Sequence, residues 1–174
     1  MYDALREIGL SARLAERRRP EERFGNGGSL GLIDTAKGPI RWVNVLWEGG
    51  GGGEYDPGPS YYVEYGVPDP RDLREVQVWS VRIRTFPVGG LATGVRWKGD
   101  DHGLRILDSL NADASTEAGL IESKRDVRVR ARPKHRCWTI EDDHSTAPSV
   151  VQWNCYQAIA WHLLADWPSN DPLG

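Results

Sequence analysis

"KRDVRVRARPKHRCW", residues 124–138, places seven Lys or Arg side chains among fifteen residues, and its alternation decides the fold. Val127 and Val129 alternate with Arg128, Arg130 and Arg132, the period of two that a strand with one buried face imposes. After "RPKH" the alternation resumes, with Trp138 and Ile140 on the apolar phase. The reading is a hairpin of strands 126–131 and 135–141. A turn that pairs Arg132 with His135 sets Arg130 opposite Cys137, Val129 opposite Trp138, Arg128 opposite Thr139 and Val127 opposite Ile140. A slip of one residue would move Trp138 and Ile140 to the polar face, so the hydrophobic pattern selects this pairing. Pro133 suits the second position of a type I turn in a four-residue loop.

The outer face of this hairpin is expected to carry Arg128, Arg130, Arg132, His135 and Cys137. Upstream, "EVQVWSVRIRTF" (75–86) alternates in the same way. Trp79, Val81 and Ile83 form its apolar face, and Ser80, Arg82 and Arg84 its wet face. If Arg82 and Arg84 share a side of the sheet with the hairpin arginines, five guanidinium groups gather there. Arginines at alternate positions can fork onto carboxylates or phosphates. The competing expectation is ordinary cross-strand pairing with Glu64, Glu75, Glu141 or the "EDD" run, each pair weak by itself.

Working outward, five strand-like segments precede the hairpin, at about 30–34, 39–48, 60–67, 75–87 and 91–98, by their Val, Ile, Trp and Tyr content and Gly/Pro punctuation. "GDDHGLRILDSLNAD" predicts a helix capped by Asp100 or Asp101, and "STEAGLIES" a shorter one. A last helix is expected over 148–166, with Pro148 in its first turn. A first helix is expected over 2–19, ending at Pro20. Its Leu5, Ile8, Ala12 and Ala15 lie on one side and Leu10 and Leu14 on the other, which suits a helix either sandwiched in the core or shared with a second subunit. The order α-βββββ-αα-ββ-α has local strand pairs and no βαβ repeat. It predicts an α+β domain spanning 1–174, with a mostly antiparallel sheet of about seven strands and helices on one face.

Composition narrows the function classes. The chain of 174 residues is 39% hydrophobic and 27% charged, with a net charge of −3, which suits a folded globular chain. No apolar run approaches a membrane span, and the N-terminus reads as neither a secretory signal nor a transit peptide. Two cysteines without a leader predict free thiols in a reducing, cytoplasmic setting. Residues 124–136 hold seven basic side chains and one acidic, whereas 137–174 hold no Lys or Arg and five acids. Positive charge is therefore local, and nucleic-acid binders are more often basic overall.

Sparse chemistry motifs complete the reading. Cys137, opposite one arginine and two residues from His135, is expected to favour its thiolate. Cys155, His162 and Asp166 share one side of the last helix, but seven helical residues put Cys155 about 10.5 Å from His162 along the axis. That separation is too long for direct proton transfer. The Cys137/His144 and Cys155/His162 spacings match no zinc pattern, so no metal or other cofactor is expected. "GGGGG" at 49–53 and "GGLATG" at 89–94 lack the phosphate-binding fingerprints and read as loops, the first with tyrosines and Asp56 able to close over a ligand. The reading that results is a non-enzymatic binding module, self-associating as a homodimer. Its arginine face is turned toward an acidic protein partner or an anionic small ligand. An enzyme or redox sensor centred on Cys137 and His135 is the alternative from another class, and a nucleic-acid binder a third.

Overall fold

The structure, a computed structural model, describes residues 1–24, 27–49, 58–86, 90–142 and 146–165. Among them the chain runs α1 (Tyr2–Glu7), β1 (Ala12–Leu14), a 3-10 turn (Pro20–Arg23), β2 (Gly28–Thr35), β3 (Trp42–Glu48) and β4 (Ser60–Pro68). It continues with β5 (Gln77–Arg84), β6 (Ala92–Asp100), α2 (Ile106–Ala112), α3 (Ala114–Ser123), β7 (Val127–Arg132), β8 (Cys137–Asp142) and α4 (Val150–Leu164). The eight strands form one antiparallel sheet in the order β1-β2-β3-β4-β8-β7-β5-β6. The class is α+β, as the element order predicts.

One face of the sheet carries the core. Ile33, Val43, Val63, Tyr65, Val67, Val78, Trp97, Val127, Val129, Trp138 and Ile140 pack against Leu5 of α1, Ile106 and Leu110 of α2, Leu120 of α3, and Trp153, Tyr156, Ile159 and Leu163 of α4. Residues in register point the same way, so Val129, Ile140, Tyr65, Val43 and Ile33 form one continuous apolar row across five strands. Helix α4 opens on a capping box, with the Gln152 amide donating to Ser149 Oγ and the Ser149 amide to Gln152 Oε1. Such reciprocal bonds satisfy two amides a helix start otherwise leaves unpaired. Pro148 precedes that cap instead of sitting inside the first turn. No helix among the described residues is long and apolar enough to cross a membrane.

Three local expectations are corrected. The first helix stops at Glu7, because Gly9 adopts φ +84° and the chain then pairs Ala12–Leu14 with β2. Pro20 opens a 3-10 turn and does not end a helix. The two-sided helix that suggested self-association is therefore absent, and Leu5 lies in the protein's own core.

The β7–β8 hairpin closes two residues further along than expected. Arg132 faces Cys137, Ala131 faces Trp138, Val129 faces Ile140 and Arg128 faces Glu141. Arg136, in the left-handed region at φ 48°, completes the loop after the Pro133–His135 turn. A shift of two keeps every side chain on its expected face.

In β5 the faces are inverted. Val78 and Ser80 are buried, while Trp79 and Ile83 are 39% and 51% exposed. The stripe Val76–Val78–Ser80 wins because Val78 pairs with core Val129. The Ser80 hydroxyl also accepts from the Val127 amide at 2.9 Å, at the end of the β5–β7 ladder.

Candidate functional site

Among the described residues no α-helix packs on the second face of the sheet. Its covering is a strap, residues 15–24, laid across the β2–β3 side. Arg17 donates to the Leu30 carbonyl, Asn44 Nδ2 donates to the Glu21 carbonyl, and Phe24 packs with Leu32, Trp42 and Cys137. Gly66 of β4 makes room for the Trp42 ring, which occupies the space a Cβ would need. Beyond the strap, toward β6, Trp79, Lys98 and Arg128 are exposed among the described residues.

Register assembles the open part. One row runs Lys98, Trp79, Arg128, Glu141, Glu64 and Asn44 across β6, β5, β7, β8, β4 and β3. Arg130 and Arg132 follow Arg128 along β7. Arg132 Nη2 reaches Glu64 Oε1 at 3.0 Å and Glu141 Oε1 at 3.4 Å. Arg130 Nε lies 3.2 Å from Glu141 Oε1, and Arg128 Nη1 lies 3.6 Å from Glu141 Oε2. Arg132 also stacks over the Phe24 ring. These groups border a groove of 390 Å³ together with Tyr62.

Burial sets the chemistry of the carboxylates. Glu64 is 1% exposed, and its Oε2 has no hydrogen-bond partner among the described residues. Removing a carboxylate from water disfavours its charged form. Burial, helped by the neighbouring Glu141 charge, pushes Glu64 up to about 7 against the opposing pull of Arg132. The Tyr62 phenol is also raised, by burial and then by Glu64. Three arginines thus meet two carboxylates. Arg128, with its side chain 43% exposed, presents the outermost guanidinium.

Of the five arginines expected together, the structure gathers three. Arg82 lies on the helix side, where it forks onto Asp126 at 2.9 and 2.8 Å and donates to the Lys124 carbonyl. Arg84 is exposed beyond a register shift at the strand end. The cross-strand partners Glu64 and Glu141 are the ones the competing reading named.

Cys137 does line up behind the arginines, but it is 4% exposed under Phe24. Burial pushes its thiol up to about 12, outweighing the pull of Arg132. The expected thiolate preference is corrected accordingly. His135, in the turn, stacks on Phe24 at 4.4 Å.

The residues sequence reasoning missed are Trp79 and Lys98 as outward neighbours of Arg128. The competing Val76–Val78 stripe was the signal that could have found them.

A second polar cluster ties the helices together. Ser109 Oγ lies 2.6 Å from His162 Nδ1, and His162 Nε2 lies 2.9 Å from Asp113 Oδ2. Asp113 caps α3, also accepting from the Ser115 amide, the Ser115 hydroxyl and the Thr116 hydroxyl. These bonds hold its carboxyl well below the usual range. The chain Ser109–His162–Asp113 joins α2, α4 and the start of α3. Cys155 is buried and donates to the Thr116 carbonyl.

Asp56, His144 and Asp166, and most of the first glycine run, lie outside the described residues. Among the described residues no group of His, Cys, Asp and Glu is placed to hold a metal ion. Comparison of the chain with protein-family models, with curated proteins and with solved structures returned no match.

Proposed function

We propose that the chain is a binding module whose helix-free sheet face receives an acidic segment of a partner protein. The observation that carries this reading is the outward row Lys98–Trp79–Arg128 standing beside the buried Glu64–Glu141 pair. Trp79 is 39% exposed and Ile83 51%, with Arg96, Lys98 and Arg128 exposed around them. Aromatic and arginine side chains are the residue types that dominate binding hot spots. Glu141 lies within 3.6 Å of all three hairpin arginines, and the exposed Arg128 and Lys98 stand outermost to meet an incoming anion. An extended acidic peptide with an apolar side chain matches that flat surface in shape and charge. Complementary charge there speeds and selects the encounter.

The test uses a fluorescent peptide of alternating Glu and Leu and a single-stranded oligonucleotide of equal charge. The Arg128→Glu/Lys98→Glu variant changes two exposed side chains and is expected to weaken peptide binding about tenfold or more, a typical loss for a charge-assisted contact. Oligonucleotide binding tighter than peptide binding, falling steeply with salt, would replace this reading with a nucleic-acid one. Peptide binding untouched by the double variant would remove it.

A further inference from the structure

We propose that the strap-covered end of the helix-free face is a second, separate binding site, built for a small ligand with a flat apolar body and a carboxylate. The cavity there measures 730 Å³, inside the roughly 300–1,000 Å³ range of small-molecule sites. Its apolar lining comes from Trp42, Phe24, Cys137 and Pro68. Trp42, Phe24 and Cys137 are 3%, 9% and 4% exposed, so this lining is fixed by packing before any ligand arrives. The Trp42 ring lies over Gly66, its register partner on the neighbouring strand, and Phe24 meets it edge-on at 5.6 Å.

The charges around the cavity are unequal. Arg13, Arg19, Arg41 and Arg136 line it with only Glu21 and Asp34 as counter-charges. Arg19 bonds both acids, and Arg13 Nη2 lies 3.7 Å from Asp34 Oδ2. Arg19 bonds Asp34 Oδ1 at 2.5 Å and Glu21 Oε1 at 2.8 Å, with Nε on Glu21 Oε2 at 3.3 Å. Arg41 uses a single 3.3 Å bond to the Ala36 carbonyl, and its remaining donors have no partner among the described residues. Arg136 stands 3.9 Å from Asp72, with both side chains largely in water. Two cations are therefore left to face the mouth. A guanidinium with unused donors beside an apolar lining is the arrangement that orients a carboxylate while its body is desolvated. The site shares none of the arginines assigned to the acidic peptide, so either reading can fail without the other.

The probe is naphthalene-2-carboxylate, with naphthalene-2-methanol as its neutral counterpart and inorganic phosphate as an anion without a body. Titration calorimetry on the full chain is expected to show one-to-one binding of the acid, much weaker binding of the alcohol and none of phosphate. The Trp42 indole N–H signal, assigned through Trp42→Phe, should shift with the acid. Arg41→Ala should weaken binding about tenfold, as loss of a charge-assisted bond does. Ala36→Trp, at an exposed rim position, should block it, while Arg128→Glu/Lys98→Glu should leave it unchanged. Thermal unfolding of each variant confirms that the fold is intact. Equal affinity for acid and alcohol, indifference to Arg41→Ala and Ala36→Trp, or no binding at millimolar acid would each overturn the proposal.

Discussion

Glu64 and Glu141 stand directly opposite one another across β4 and β8, and Arg132 reaches both of them. A like-charged pair in register is ordinarily destabilising. Here the pair sits at the centre of the sheet, with Glu64 buried and β7 supplying arginines to it. The arginines of the basic hairpin are therefore first a structural necessity of these two acids. Only what they leave uncompensated is available to a partner.

Glu64 should make the protein less stable as pH rises through neutrality. Its folded value of about 7 lies above the ordinary 4.5, so the folded state keeps a proton the unfolded chain has released. The stabilisation is complete below about 4.5 and is lost as pH climbs through about 7, with a slope approaching about 1.4 kcal/mol per pH unit. Urea denaturation across that window should show the slope in the parent and a flatter profile in Glu64→Gln. Identical profiles would contradict the assignment.

Arg132→Met should be among the costlier single changes. It strips the direct partner from Glu64, which is 1% exposed, and measured above about pH 7, where that carboxylate is ionised, breaking a buried pair from one side costs about 3–5 kcal/mol. Adding Glu64→Gln should recover a large part of that loss, because the buried charge is then gone as well. The quantity to measure is the coupling in a double-mutant cycle. Additive losses would mean the contact carries no energy.

Cys137 should be silent toward alkylation in the native state. Its thiol is pushed up to about 12 by burial, and the thiolate is the reactive form. Iodoacetamide at pH 8 should modify it only after unfolding, as read by mass spectrometry of the peptide. Rapid native labelling would restore the redox reading of this cysteine.

Asp113→Ala should loosen the helical layer. The change removes the α3 cap and the contact to His162, and loss of a cap costs about 1–2 kcal/mol. Asp113→Asn retains an acceptor and should lose less in a thermal melt. Because the Asp113 value is depressed, its stabilisation is present above the ordinary carboxylate range and fades as pH falls below it. Unaltered melting in the Ala variant would show that the cluster is idle.

The hairpin that ordered the sequence reading was legible because period-two patterning fixes which face each residue takes. The same pattern is blind to a shift of two, so the Arg132–Cys137 pairing depended on Arg136 entering the left-handed region, which no apolar residue reports. β5 offered two alternating stripes of near-equal quality. Pairing with Val129 chose Val78 and Ser80 over the bulkier Trp79 and Ile83, a tertiary decision invisible in the segment. The opening helix failed for the opposite reason. Its apolar spacing was real, but Gly9 interrupted it and an open sheet edge offered the backbone other partners. At the candidate site the arginines and their acidic partners could be named. Their burial could not, since it depends on β4 lying beside β8.

That adjacency has a consequence for how the protein is made. β4 ends at Pro68 and β8 begins at Cys137, so the strand that covers this edge of β4 is synthesised well after it. On a β4 not yet paired with β8, the Glu64 carboxylate would remain in water, which favours its charged form. A charged side chain on a waiting strand discourages pairing with a neighbouring chain. When β8 closes the gap, the same carboxylate passes from water to the centre of the sheet. The residue that is awkward in the finished fold is thus the type of side chain that keeps an unpaired strand from foreign partners.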